Sequence, residues 1–581
     1  MYRTNPMQVT LQPLSQDDGS SVVVDTNSST TISTLITSYC SRKGIAFDSK
    51  LVIFDSKKRP LPQFSTLSSL GISDGQKLLI GYKNTSFTYS ERWPLLIALA
   101  ALFIGVVGIL VISLTYGLTG GKFPDDYGVV MDAGSSKTNT IVYKWKSNKH
   151  NGTGCVSQET DCFALGGIAK MDPMKLDEVI ECAKNVTSHV DEKSRPQTPL
   201  YFAATAGMRL LDSVDPDRVK RILDQLRNQL NETGLSVKAI EIISGTDEGV
   251  YAWITANFLQ ETLEIPQKLD PWVPTTFGAL DMGGASMQIS YAIPDEDKRV
   301  STDTKALTLY GQKHNVFAHS NLCFGRDEAE FRLRYLLLQD LKTAYTEDPC
   351  SPAGFKYNVS GEDLLKRPCT NSTRFPDLVT NPNNFLANYT FEGTSNVNEC
   401  KKKVKSLLDN ELCKLYNFVS CFKRLDNIPS TQEYLAFASY YYATDFLNVT
   451  KGTLKDFETA SDAWCKKNSA EVNATSTNKY REKFCFNTNY VRECLINGFG
   501  FNNDTWKNIQ FVSKVAGKDV GWSLGYMINA TNLIPEKART PKPMSKAALS
   551  VSLIIFILIV CGTIAFLIQQ QRNKKRGYSE A

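Results

Sequence analysis

Two uninterrupted apolar runs, Pro94–Tyr116 and Ala547–Ile568, divide this chain before any other feature is considered. Neither contains a charged residue, and each exceeds the ~20 residues needed to cross a bilayer core. Both are apolar on every face, which a buried helix of a soluble domain does not require. The first begins too far from Met1 for a cleaved signal peptide, so it reads as a signal anchor. Arg572, Lys574, Lys575 and Arg576 follow the second run and favour a cytosolic C-terminus. An even number of spans then places the N-terminus there as well. Lys542 and Lys546 flank the other side, so charge alone does not decide the orientation.

Cysteines and sequons decide it. Of 14 cysteines, only Cys40 and Cys561 lie outside the middle segment. That leaves Cys155, Cys162, Cys182, Cys323, Cys350, Cys369, Cys400, Cys413, Cys421, Cys465, Cys485 and Cys494, an even set without a close zinc-ligand pattern. The set reads as a disulfide framework in an oxidising compartment. Asn151, Asn185, Asn231, Asn358, Asn371, Asn388, Asn448, Asn473, Asn503 and Asn529 open N-x-S/T sequons in the same segment. The middle, from about Leu118 to Lys546, is therefore expected outside the cytosol. Against 65 basic and 60 acidic residues, a net charge of +5 gives no reason to expect a nucleic-acid partner.

Within the middle segment, Val129, Val130 and Met131 form a short apolar strand ending in Asp132, followed by the small-residue loop Ala133-Gly134-Ser135-Ser136. Phe277–Leu280 repeats the device, ending in Asp281 and followed by Gly283, Gly284, Ala285 and Ser286. Backbone N–H groups crowd an anion only where side chains are this small. Two such units predict two facing lobes, each offering a phosphate cradle and a carboxylate. Asp132 and Asp281 are hard oxygen donors suited to Ca²⁺, or to Mg²⁺ that keeps most of its waters, so a metal held largely through water is expected. GSSKT looks like a Walker A loop but fails, because Ser135 and Ser136 separate Gly134 from Lys137. No Asp-Lys-Thr-Gly phosphorylation motif occurs, which favours direct attack by water.

Helical spacing is clear at Asp215–Leu230, with Asp215 as N-cap and Pro216 in the first turn, and again at Ala329–Leu341. Strands alternating with helices predict an α/β ectodomain. Cys350–Cys421, rich in Asn, Pro and Cys, reads as an irregular disulfide-tied insertion, and Pro535–Pro543 as a basic stalk. Residues 1–90 carry the order β-β-α-β…β, with Ile32, Leu35, Ile36 and Tyr39 on one helical face. This unit resembles a ubiquitin-like β-grasp domain. It lacks a terminal Gly-Gly, so rather than be conjugated it is expected to be a docking module for a cytosolic protein, or merely a folded cap on the cytosolic end. Lys83–Arg92 reads as a polar linker.

Five ordered segments carry a closer resemblance: DAGSSKT (Asp132–Thr138), ATAGMR (Ala204–Arg209), SGTDEGVYAW (Ser244–Trp253), LDMGGASMQ (Leu280–Gln288) and DVGWSLGYMIN (Asp519–Asn529). They resemble the apyrase conserved regions of the ectonucleoside triphosphate diphosphohydrolases, and AHSNLCFGRDEA (Ala318–Ala329) resembles that family's HSYLCYG stretch. The resemblance implies a two-lobed actin/Hsp70/hexokinase-like (RNase H-like) ectodomain. Its first lobe spans residues 120–240 with 500–535 returning to it, and its second spans 241–499. Transmembrane helices at 94–116 and 547–568 and a basic tail at 569–581 complete the expected organisation.

The same resemblance implies hydrolysis of the terminal phosphates of nucleoside tri- and diphosphates. Glu248, in a glycine-flanked turn, would be the base for the attacking water, with Ser286 and Gln288 holding that water. Gly134, Ser135, Ser136, Gly283, Gly284 and Ala285 would cradle phosphate, with Thr205 and Arg209 supporting the anionic ligand. An inter-lobe ion pair is an equal reading of Arg209. Lys137, where many relatives have His, would add a phosphate contact. By resemblance too, Tyr442 and Phe484 would sandwich the nucleobase, and Cys465 would pair with Cys485. Trp253 and Trp522 read as core. The rival functions are a Golgi nucleoside diphosphatase acting on GDP or UDP, and a non-catalytic nucleotide receptor. The rival compartments are the plasma membrane and the Golgi or endosomes.

Overall fold

The structure is a computed structural model that describes residues 6–14, 20–83, 93–171, 176–266, 268–269, 272–294, 303–425 and 428–579. Most of the expected linker Lys83–Arg92 lies outside them. The chain divides into two compact units, one of residues 1–120 with 542–581 and one of residues 121–541.

In the first unit, four strands form a sheet in the order Val22–Asn27, Pro6–Pro13, Lys77–Tyr82, Leu51–Phe54. Its central pair is parallel and the outer pairs are antiparallel. The helix Ile32–Lys43 buries Ile32, Leu35, Ile36 and Tyr39, the face its spacing predicts. It opens where the Thr31 side chain accepts from Thr34 N–H and closes at Gly44, whose φ of 69° suits glycine. This is the expected β-grasp arrangement. The apolar runs form helices Trp93–Leu118 and Lys546–Ser579, each holding a stretch long and apolar enough to cross a membrane.

The second unit contains two sheets with the same internal wiring. In the first, Asp125–Ala133 and Lys137–Lys146 make a hairpin that Ser157–Leu165 extends, all antiparallel, while Pro199–Ala204 and then Ser236–Ile242 add in parallel on the other side. In the second, Gly278–Met282 and Ser286–Ile293 make the hairpin, Gln312–Leu322 extends it, and Tyr434–Ala438 and Ile509–Phe511 add in parallel. Thr304–Leu309 widens the second sheet at its edge. Both hairpins are the strand–Asp–small-loop units read from sequence. Their strands are buried along nearly their whole length, as expected for sheets covered on both faces.

Two expectations about chain path are corrected. Residues 500–535 do not all return to the first lobe, because Ile509–Phe511 is an edge strand of the second sheet. The return comes with helix Trp522–Thr531, whose Ser523 Oγ lies 3.0 Å from the Tyr143 hydroxyl of the first sheet. A Cβ on its Gly525 would lie 2.0 Å from the Tyr251 carbonyl oxygen of helix Gly245–Leu259. The Cys350–Cys421 insertion is also more regular than its composition suggests. Tyr345–Asp348, Asn388–Gly393 and Lys356–Ser360 form a small sheet, followed by helices Val397–Ser406 and Asn410–Leu415.

Five disulfides form: Cys162–Cys182, Cys323–Cys369, Cys350–Cys400, Cys413–Cys421 and Cys465–Cys485. The pairing implied by resemblance is among them. The even set is not fully used, since Cys155 is exposed and unpaired and Cys494 is buried and unpaired. An even count limits the possible pairings but does not bring two sulfurs together.

Candidate active site

The two small-residue loops are closed in the same way. Gly134 N–H donates to the Lys137 carbonyl at 2.9 Å, and Gly283 N–H to the Ser286 carbonyl at 3.0 Å. They meet tip to tip, since a Cβ on Gly284 would sit 2.5 Å from Ser135 Oγ. Gly167 and Gly207 back the first loop, and a Cβ on Gly167 would lie 2.1 Å from the Ser135 carbonyl oxygen. Behind the second loop, Arg326, Asp327 and Glu328 at the start of helix Arg326–Leu337 donate their N–H groups to the Gly283 and Gly284 carbonyls. Ser136 and Lys137 are exposed at the mouth, with Lys137 Nζ 5.7 Å from the centre of the Phe163 ring.

Glu248 interacts electrostatically with Asp132 and Asp281, which precede the two loops. It is not in an irregular turn, as its flanking glycines suggested, but in the first turn of helix Gly245–Leu259. The Ser244 side chain caps that helix by accepting from Asp247 N–H. Glu248 is only 7% exposed, and its Oε2 accepts from Arg209 Nη2 at 2.8 Å and from Gln288 Nε2 at 3.0 Å. Arg209 also donates to Ser286 Oγ at 3.2 Å and to the Ile243 carbonyl at 2.8 Å. The ion-pair reading of Arg209 therefore describes its bonds here, and the pair ties residues of the second loop to the chain leaving the first lobe. Thr205 turns inward, its hydroxyl donating to the Ala133 carbonyl at 3.4 Å, and so steadies the end of the first strand.

Asp132 and Asp281 end equivalent strands and interact electrostatically with each other across the cleft. Burial and the Glu248 carboxylate push Asp132 up to about 7, against the opposing pull of Lys137 and a hydrogen bond from the Trp522 side chain. Burial, Glu248 and Asp132 together push Asp281 up to about 8. Burial and neighbouring negative charge thus raise the proton affinity of both aspartates, an environment that a bound cation would relieve. No cluster of three His, Cys, Asp or Glu forms a closed cage among the described residues. The donor set accordingly fits a hard divalent ion that takes one or two carboxylates and fills its other positions with water and phosphate oxygens.

The sequence reading missed one close partner of this site. Ser320 faces Gln288 in the register of the paired strands, and Gln288 Nε2 donates to Ser320 Oγ at 3.0 Å as well as to Ser286 Oγ at 2.6 Å. Ser320 lies inside a motif that was noticed, but only cross-strand register reveals what it touches. Trp253 is wholly buried as expected, whereas the buried Trp522 also reaches Asp132.

Tyr442 and Phe484 line one open cavity of about 1190 Å³, with Arg326 on its wall. Tyr442 is 57% exposed and Phe484 5% exposed. The ring stacked on Phe484 is not Tyr442 but Phe446, one helical turn further on, with centroids 3.5 Å apart and planes 5° from parallel. Arg326 connects this cavity to the cleft, since its own N–H donates to Gly283 of the second loop.

The sequence model of the GDA1/CD39 (nucleoside phosphatase) family matches residues 122–544. The chain is 32% identical over 499 residues to mouse ectonucleoside triphosphate diphosphohydrolase 2, a match covering 83% of this chain and 97% of the relative. It is 32% identical over 463 residues to human ectonucleoside triphosphate diphosphohydrolase 3, covering 77% and 86%. Among solved structures, a nucleoside triphosphate hydrolase from Neospora caninum aligns with 71% of this chain and 94% of its own, at a TM-score of 0.50 and 17% identity.

Proposed function

This chain belongs to the GDA1/CD39 (nucleoside phosphatase) family, and from that premise we propose that it is a membrane-anchored ectonucleoside triphosphate diphosphohydrolase. Its substrates are nucleoside tri- and diphosphates, and it cleaves their terminal phosphoanhydride bonds by attack of water.

The observation that carries the proposal is the placement of Glu248. Its carboxylate is held by Arg209 and Gln288 and interacts electrostatically with Asp132 and Asp281, which precede the two loops. In this reading the Gly134–Ser136 and Gly283–Ala285 backbones hold the polyphosphate from opposite sides, with Lys137 at the mouth adding positive charge. Ser286 and Gln288 orient a water toward the terminal phosphorus, and Glu248 takes its proton as the bond forms. Arg209, bonded to both Glu248 and Ser286, keeps base and water-holder in one frame. Positioning and electrostatics dominate phosphoryl transfer, so fixed geometry is what the protein must supply. Activity depends on a divalent cation, Ca²⁺ or Mg²⁺ in this proposal. Asp132 and Asp281 would hold it through water, and when bound it neutralises charge developing on the phosphate oxygens.

The cavity carrying Tyr442 and Phe484 takes the nucleobase. The two apolar helices anchor the chain with both termini in the cytosol, and the five disulfides and the sequon density of the middle segment support an extracytosolic catalytic unit, taken here to be at the plasma membrane. The β-grasp unit would then face cytosolic proteins.

The test is phosphate release from ATP and ADP by purified full-length protein. Glu248→Gln keeps the hydrogen-bonding shape but removes the base, and is expected to lower kcat by ~10²–10⁴. Hydrolysis by wild type is expected to stop in EDTA and to return when Ca²⁺ or Mg²⁺ is added. A Glu248→Gln enzyme as fast as wild type would refute the assignment.

A further inference from the structure

Two of the sequons read from the sequence meet in the folded chain. Asn358-Val359-Ser360 ends strand Lys356–Ser360, and Asn388-Tyr389-Thr390 opens strand Asn388–Gly393 of the small sheet in the disulfide-tied insertion. The strands are antiparallel, and their register sets Asn358 opposite Thr390 and Ser360 opposite Asn388. Each asparagine is thus paired with the hydroxyl residue of the other sequon. Alternation along a strand puts all four on one face. That face is the wet one, since Val359, Tyr389 and Phe391 turn into the core while Asn358 and Asn388 are exposed. Diagonal neighbours on one face lie about 7–8 Å apart, so the two asparagines stand side by side.

The carboxamide of Asn358 is already turned for substitution. Its Oδ1 accepts from Thr390 Oγ1 at 2.8 Å, and its Nδ2 has no acceptor among the described residues. A bond to the oxygen survives when a sugar is joined to the nitrogen, so the folded sheet can hold the linkage outward. On the third strand, Tyr345 shares the cross-strand row of Thr390 and Asn358 and is 47% exposed. Its hydroxyl donates to Glu392, which keeps the ring beside that row. A pyranose has a face of C–H groups that packs on such a ring.

We propose that Asn358 and Asn388 both carry N-linked oligosaccharides, whose first sugars lie side by side on this face and cover Tyr345. The proposal rests on the reading that the middle segment lies outside the cytosol. In the transfer, Nδ2 bonds to C1 of the first N-acetylglucosamine of a lipid-diphosphate-linked oligosaccharide. The C1–O bond breaks, its electron pair leaves with the lipid diphosphate, and Nδ2 gives up one proton. Strand Lys356–Ser360 is an edge of its sheet, and bulky sugar on it hinders pairing with another chain.

The test uses full-length protein made in cells that attach N-linked glycans. Peptide-N-glycosidase converts a glycosylated asparagine to aspartate, so peptide mass spectrometry reads each sequon separately. Conversion is expected at both Asn358 and Asn388. Asn358→Gln and Asn388→Gln are each expected to lose the mass of one glycan, and the double variant that of two. Hydroxyl-radical labelling of Tyr345 is expected to be low in wild type and to rise in the double variant. Enzymatic trimming of the folded wild type gives the same comparison without a substitution. Glycans at other sequons with either of these sites bare would overturn the proposal alone. Tyr345 labelling that is the same with and without glycans would overturn the proposed packing. No glycan at any sequon would overturn the extracytosolic reading as well.

Discussion

Ser320 shows how much of this site depends on contacts that no motif spells out. Gln288 has one amide nitrogen to share among Glu248, Ser286 and Ser320, and Ser320 is the partner that has no place in the proposed chemistry. Removing it frees the carboxamide to turn without touching the base. Ser320→Ala is expected to lower kcat about two- to tenfold, the value of one net hydrogen bond, and to leave KM nearly unchanged. A changed KM with unchanged kcat would show instead that Ser320 shapes substrate binding. The loops and their terminal aspartates were legible in the sequence because each strand and its loop are continuous, so the letters that announce the device also build it. Ser320 was not, because the pairing Gln288↔Ser320 joins residues whose proximity only strand register creates. Arg209 left two readings open for the same reason, and its bonds to Glu248 and Ser286 depend on where two distant chain segments meet.

At the scale of elements, helix Gly245–Leu259 is the piece whose placement matters most, and sequence misplaced its beginning. The glycines around Glu248 suggested a turn. The Ser244 cap instead starts a helix there, and the burial of Glu248 at its first turn follows from that start. On its other side this helix receives Trp522–Thr531 at Gly525, whose N–H donates to Thr255 Oγ1 at 2.8 Å. Gly525→Ala would drive a methyl group against the Tyr251 carbonyl. The expected cost is about 1–3 kcal/mol of stability, read as a lowered Tm, with a loss of kcat from the displaced helix. A variant with unchanged Tm would show that this contact yields readily. The β-grasp unit was legible for the opposite reason. Ile32, Leu35, Ile36 and Tyr39 belong to one local helix, whose face can be read without knowing what it packs against. The strands of the Cys350–Cys421 insertion escaped notice because Asn, Pro and Cys weaken the alternation that marks a strand, while the pairing of Asn388–Gly393 with two other strands is set by tertiary contacts.

At the scale of the whole molecule, the second lobe holds four of the five disulfides and the first lobe one. Removing a native disulfide typically costs about 2–5 kcal/mol. Reduction under mild conditions is therefore expected to lower stability chiefly through the second lobe. On the proposed function, activity should be lost before the first hairpin opens, because Cys485 adjoins Phe484, which lines the cavity proposed for the nucleobase. Parallel measurements of activity and of amide exchange in Asp125–Lys146 check this, and simultaneous loss of both would contradict it. Cys155 and Cys494 mark the limit of counting: parity suggested a complete set, and only the folded backbone shows which thiols lack a neighbour.

The position of the covalent bridges has a further consequence. Every one of them begins and ends within a single jaw, and none among the described residues staples Asp132's side to Asp281's. In an oxidising compartment the bridges would harden each half separately while leaving the mouth without a covalent lock. On the proposed function, such a protein would withstand an oxidising compartment. Its halves, joined by no covalent bridge among the described residues, could part around a departing phosphate, as a hinge pinned at its leaves but free at its axis.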